Sequence, residues 1–117
     1  MKTAYEILTE AQDLIRDPAH WTQQVYARNP EGFERNATDS DATCFCSLGA
    51  LHRVLQPSVF STTDVLDMFY ETRRYLTDAT SESSRFNYIH EFNDEHTHEQ
   101  VMAVWDKARE LARANHV

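Results

Sequence analysis

Cys46, the histidines His90, His96 and His98, and the pair Asn93-Asp94 are the residues whose types could carry covalent chemistry. A thiol attacks as its thiolate, an imidazole takes the proton, and an amide or carboxylate holds that imidazole in orientation. On this scheme Cys46 is the nucleophile, one of the three histidines, such as His96, is the base, and Asn93 or Asp94 orients it. A plainer account competes at each position. Cys46 lies inside an apolar run, where cysteine behaves as a small core hydrophobe, whereas a reactive thiol needs partial exposure and an electropositive setting. Asn93 and Asp94 are short polar residues of the kind that stabilise a turn and cap the helix after it.

The same side chains do not assemble into a metal site by spacing. There is neither a Cys-x-x-Cys knuckle nor a His-Glu-x-x-His helix. On a helix Cys44 and Cys46 point about 200° apart, so they neither share an ion nor bridge each other. His52 and His116 stand far off in sequence. Two glycines do not make a phosphate-binding loop. No metal and no other cofactor is therefore expected. Large aromatics with a polar edge are frequent anchors of ligands and partners. Trp105 sits on the apolar stripe of the last helix and belongs to the core, while Trp21, flanked by polar residues, is the better surface candidate, and Tyr26 is the third such aromatic. Trp21, Tyr26, Asn93 and Asp94 are thus the candidate binding residues.

The elements that must position these groups read mainly as helices. Of the 117 residues 41% are hydrophobic, and two glycines and three prolines are few for an all-β design. That length fits one domain, residues 1–117, able to bury a core without staples. The organising stretch runs from Asp41 to Leu55. Cys44, Leu48, Leu51 and Leu55 form one helical stripe, Ala42, Phe45 and Gly49 a second, and Cys46, Ala50 and Val54 a third. A helix apolar on every side is buried on most sides. Gly49 in its interior costs about 1 kcal/mol relative to alanine, so it should admit a close-lying backbone. Asp39, Ser40 or Asp41 would cap this helix, which ends before Gln56-Pro57.

Before it, Thr3 and Glu6 form a capping box for a first helix that ends at Asp17-Pro18. Trp21 to Arg28 reads as extended, Asn29-Pro30-Glu31-Gly32 as a turn, and Phe33 to Asn36 as the second arm of a small hairpin. After it, Ser61-Thr62-Thr63-Asp64 caps a third helix carrying Phe69, Thr72, Tyr75 and Leu76. Thr77 to Ser84 reads as a polar loop. Phe86, Ile89 and Phe92 suit a short helix, broken by Asn93-Asp94-Glu95-His96, and Thr97 with Gln100 caps the last helix. The fold class expected is mainly α, with α+β as the alternative: a helical domain around a central buried helix, with a hairpin between helices 1 and 2.

Trp21, Cys46-Ser47-Leu48-Gly49-Ala50-Leu51, Phe92-Asn93-Asp94 and Thr97-His98-Glu99-Gln100-Val101 together resemble a family of small uncharacterised bacterial and phage domains. Its pattern joins an early Trp, a Cys-x-x-Gly-Ala-Leu helix, an aromatic-Asn-Asp turn and a Thr-initiated last helix. His96 and Gln24 stand where that pattern carries glycine. The resemblance implies one shared fold and brings no function with it.

Charge narrows the function classes. Nineteen acidic against 11 basic residues give a net charge of −8. Binding to a phosphate backbone needs clustered Lys and Arg, and Arg73-Arg74 is the one close pair, so general nucleic-acid binding is not expected. The first residues lack a signal-peptide apolar run and no stretch is long enough to span a bilayer, which points to a cytoplasmic protein without a membrane. The function expected is a non-enzymatic binding or interaction module, a small regulatory or phage accessory protein, holding a protein or a small molecule. The alternative is a cysteine-dependent enzyme using Cys46. Oligomeric state is not encoded in any of these patterns.

Overall fold

The computed structural model describes residues 2–57 and 61–115, so His116 lies outside the described residues. Helix α1 spans Ala4–Ile15 and starts as its capping box dictates: Thr3 Oγ1 accepts the Glu6 amide at 3.2 Å, and Glu6 Oε1 accepts the Thr3 amide at 3.1 Å. Ala4, Ile7, Leu8, Ala11 and Ile15 recur at helical spacing and are buried. Asp17-Pro18 ends the helix and begins a single 3-10 turn, Pro18–His20, capped by the Asp17 carboxylate.

The expected hairpin is present but short, and it has a third strand. β1 (Ala27–Arg28) lies between β2 (Glu34–Arg35) and β3 (Cys44–Phe45), antiparallel to both, with Ala27 opposite Arg35 on one side and Phe45 on the other. Asn29 to Gly32 make the turn, closed by the Gly32 amide on the Asn29 carbonyl, with Gly32 at φ 88°. The extended run expected from Trp21 to Arg28 is cut to two residues, and Gln24, at φ 74°, departs from extended geometry within it. Trp21 nevertheless makes an isolated parallel bridge with Phe45.

The central helix is correspondingly shorter than its apolar pattern implied. α2 covers Ser47–Leu55, and Cys44-Phe45, expected inside it, belong to the sheet. The Thr43 amide donates to the Arg28 carbonyl and the Cys46 amide to the Tyr26 carbonyl, so the backbone pairs across β1 before it turns into a helix. Cys46 is the N-cap, its Sγ accepting the Gly49 amide at 3.3 Å. A Cβ on Gly49 would lie 1.9 Å from the Tyr26 carbonyl oxygen; glycine here lets the chain entering β1 rest directly on α2. Ser47 to Leu51 are buried, while the last turn is half-buried rather than enclosed, and Gln56 ends the helix at φ 48°.

α3 spans Thr63–Ser83 behind the Thr62 cap. The loop expected from Thr77 is helical instead. Ala79 and Thr80 are buried, and the hydroxyls of Thr77, Thr80 and Ser84 donate to the carbonyls four residues back at 2.8 to 2.9 Å, so polar side chains are satisfied within their own helix. α4 spans Ile89–Glu95 and α5 His98–Asn115, the latter opened by the Thr97–Gln100 capping box. α3 packs on α5, and α1 on both α2 and α5. Among the described residues, five α-helices and a small antiparallel sheet thus make a mainly α fold.

Candidate functional site

Asn93 and Asp94 are not a turn. Both lie in the last turn of α4, and the break comes at His96, whose backbone is extended at φ −128° and ψ 166°. From there the Asn93 side chain enters the interior, 1% exposed, and joins segments far apart in the chain. Its Oδ1 accepts the Trp21 indole N–H at 2.9 Å, the Ser47 amide at 3.1 Å and the Ser47 hydroxyl at 2.9 Å. Its Nδ2 donates to the Thr22 carbonyl at 3.0 Å. The Trp105 indole N–H then donates to Ser47 Oγ at 3.1 Å. The Ser47 amide lies in the first turn of α2, where helix geometry supplies no acceptor; Asn93 supplies it.

A second set of bonds fixes the chain between Trp21 and β1. Gln23 Nε2 reaches the carbonyls of Asn93, Asp94 and His96 at 3.0 to 3.2 Å, covering the end of α4. Asp94 Oδ1 accepts the Gln24 amide at 2.7 Å. That bond holds a residue at φ 74°, a backbone conformation that glycine adopts freely and glutamine rarely.

Two expected binding residues are therefore engaged internally. Trp21 was the surface candidate, but it is half-buried against the core and its polar edge is given to Asn93. Asn93 has no free face. Tyr26 is 50% exposed and Asp94 half-buried, and both open onto a cleft of about 260 Å³ lined by Gln24, Val25, Tyr26, Glu34, Cys46, His90 and Asp94.

The cleft also sorts the histidines. His90 is exposed on its wall, beside Cys46 and Asp94. His96, the base first considered for Cys46, is elsewhere: its ring stacks on Phe92 at 3.7 Å between centroids, its Nδ1 lies 2.9 Å from the Phe92 carbonyl, and it lines a separate hollow with Ser84 and Gln100. His98 Nε2 lies 2.7 Å from the Ile15 carbonyl, with its ring edge-on to Trp21, and so ties α5 to α1. His52 sits between Tyr26 and Phe69, its pKa lowered by burial and by the charge of Arg73.

Cys46 itself is buried, not a turn into the helix but at its N-cap. Burial pushes the thiol up to about 11, and the negative charge of Asp94 adds to that against the Gly49 and Leu48 amides, which pull the other way. Desolvation outweighs the helix N-terminus here, and at neutral pH the sulfur is a protonated thiol. Among the described residues no three His, Cys, Asp or Glu side chains gather where they could hold a metal ion. Likewise, no described helix is long and apolar enough to cross a membrane.

Ser47, Gln23, Gln24 and Glu34 were absent from the sequence-based candidates. Ser47 carried one readable signal, a polar residue inside a short motif of apolar and small residues; Gln24 was marked only as a departure from the resembled pattern, and Gln23 and Glu34 carried none. No curated protein and no solved structure matches the chain. A family model does match, over residues 1–111, which takes in the Trp21–Asn93–Ser47–Trp105 network and every residue lining the cleft: the chain belongs to DUF6197, a family of unknown function.

Proposed function

We propose that this chain is a non-enzymatic binding module that holds a partner at the cleft between the Tyr26 strand entry and α4. One observation carries this reading: Tyr26, a large aromatic left half-exposed, stands on the wall of the cleft, where the neighbouring polar network has already fixed its backbone. An aromatic on a rigid support loses little conformational entropy on binding and makes an effective anchor. The raised thiol pKa supports binding over covalent catalysis, since little thiolate is present to attack.

A second reading has one observation in its favour: Cys46, His90 and Asp94 line the same cleft, the residue types of a thiol enzyme. Labelling with a thiol reagent at pH 7.5 separates the two. Protection of Cys46 until denaturation, while the half-buried Cys44 reacts, favours the binding module; rapid native labelling of Cys46 favours the enzyme. The module is tested by identifying a co-purifying partner by mass spectrometry, reconstituting the pair from purified components and measuring affinity for Tyr26→Ala. An affinity loss of about tenfold is expected for an aromatic anchor, and an unchanged affinity removes the cleft from the binding surface.

A further inference from the structure

The groove beside Tyr26 is lined by two carboxylates, with His90 on its wall. Glu34, exposed on β2, and Asp94 on α4 both line it, and neither takes part in an ion pair among the described residues. The two arginines of the adjoining strands are committed to other acceptors, Arg35 to the Glu34 backbone carbonyl at 2.9 Å among them. Arg28 donates through Nε to Thr22 Oγ1 and through a terminal nitrogen to the Gly32 carbonyl, while Arg35 pairs with Asp41 at 3.0 Å. No Lys or Arg among the described residues lines the groove. Asp94 uses Oδ1 on the Gln24 amide and on Asn93 Nδ2, and no protein donor meets Oδ2 among the described residues.

From the groove a row of aromatic rings runs through the half-buried His52 and the buried Phe69 and returns to the surface at Tyr70. Tyr26 contacts His52, His52 contacts Phe69, and Phe69 contacts Tyr70, with centroids 4.9 to 5.9 Å apart, and Tyr70 ends the row exposed. On the other flank His90 contacts the exposed Tyr88.

From this charge complementarity we infer that the groove receives a basic segment of a partner protein, one Lys or Arg side chain entering beside Tyr26 between Glu34 and Asp94. A guanidinium or ammonium group satisfies the carboxylates, its stem lies along the apolar wall, and the tyrosine ring receives the cation. A free small cation would use the groove alone. The exposed rings of Tyr70 and Tyr88 lie beyond it and offer a polypeptide further contacts that a small cation would not use. The net charge of −8 steers a basic partner toward the chain and away from acidic competitors. This inference rests on the binding-module reading and adds the chemistry of its ligand.

The test uses the full chain, isotopically labelled, titrated by NMR with a blocked pentapeptide holding two arginines around a leucine. The same peptide with citrulline for arginine, and free arginine amide, are the comparison arms. Expected are saturable shifts at the amides of Gln24, Val25, Tyr26, Glu34, Cys46 and Asp94, at least fivefold weaker with citrulline. Raising the salt should weaken them further. Glu34→Gln, which alters an exposed side chain with no internal partner, should weaken binding at least threefold without changing the melting temperature. Absence of saturable shifts, equal binding of the citrulline peptide, or an unaffected Glu34→Gln variant overturns the inference. Arginine amide binding as tightly as the peptide overturns the partner segment in favour of a small cation. With a reconstituted native partner, loss on Tyr26→Ala but not on Glu34→Gln removes the basic segment and leaves the binding module standing. Survival of both substitutions removes the module as well.

Discussion

Replacing Asn93 with alanine should be among the most damaging polar substitutions in this chain. Truncation takes the acceptor from three donors, the Trp21 indole N–H, the Ser47 amide and the Ser47 hydroxyl, and the donor from the Thr22 carbonyl. A buried polar group left without a partner costs about 1 to 3 kcal/mol. Trp21 and Thr22 are half-buried, and water can replace part of what they lose. Ser47 is 3% exposed, so its amide and hydroxyl bear the larger share. The expected cost is about 2 to 4 kcal/mol, the sum of two such groups with partial relaxation. For a chain of this length each kcal/mol lowers the melting temperature by about 4 °C, which places the variant about 8 to 16 °C below the parent. Reversible urea denaturation followed by far-UV circular dichroism is the appropriate assay, because the fluorescence of Trp21 and Trp105 would change with the network itself. A loss below about 0.5 kcal/mol, at an unchanged slope, would refute the network as a stabilising element. A variant of parental stability that lost its partner would restore Asn93 to the binding surface.

Gly49→Ala should cost at least about 3 kcal/mol, the upper end of overpacking, because the new Cβ would lie 1.9 Å from the Tyr26 carbonyl oxygen; a thermal melt within a few degrees of the parent would separate β1 from α2. Ala79→Pro should cost about 3 kcal/mol or more, since Thr77 to Ser83 are helical and packed, whereas a free loop would tolerate it. The Cys46 thiol is raised on folding from 9.0 to about 11, so its contribution is full below pH 9.0 and is lost as pH rises through 11. That contribution is about 2 to 3 kcal/mol at most, at 1.36 kcal/mol per unit, and urea midpoints at pH 8 and 11 should diverge less for Cys46→Ala than for the parent.

Three helix N-termini were legible because a cap is a local device, whereas α2 is capped by Cys46 and not by the expected Asp39, Ser40 or Asp41, because β3 takes the residues between. Thr3 with Glu6, Thr97 with Gln100 and the Thr62 cap each stand within a few residues of the amides they meet, and the structure has all of them. Gly49 was legible for a related reason: an interior glycine is unfavourable unless a neighbour needs its missing Cβ, and Tyr26 does. Periodicity failed where two periods fit one string. Asp41 to Leu55 is apolar at both strand and helix spacing, and only pairing with β1, set by residues near position 28, assigns Cys44 and Phe45 to the sheet. Thr77 to Ser83 failed by composition: threonine and serine signal a loop, but hydroxyls that bond back one turn leave a small face which Ala79 and Thr80 can bury.

The site was readable as residue types and unreadable as roles. Trp21, Ser47, Asn93 and Trp105 meet across up to 84 positions of sequence, and no spacing rule encodes that meeting. Once they meet, a buried side-chain amide with one acceptor and one donor group has enough partners to be fully occupied, which removes the strongest polar candidate from contact with any ligand. The same occupation shapes what remains. Gln23 and the Asp94–Gln24 bond, both anchored on α4, hold the chain entering β1, and the Tyr26 backbone rests on Gly49. Tyr26 is therefore presented to solvent from a backbone fixed on two sides. Cys46 is desolvated by the packing that supports that presentation, with Asp94 nearby raising its pKa further. The features that favour an aromatic binding anchor at this cleft also hold the thiol in its unreactive form, so the geometry that would strengthen one reading weakens the other.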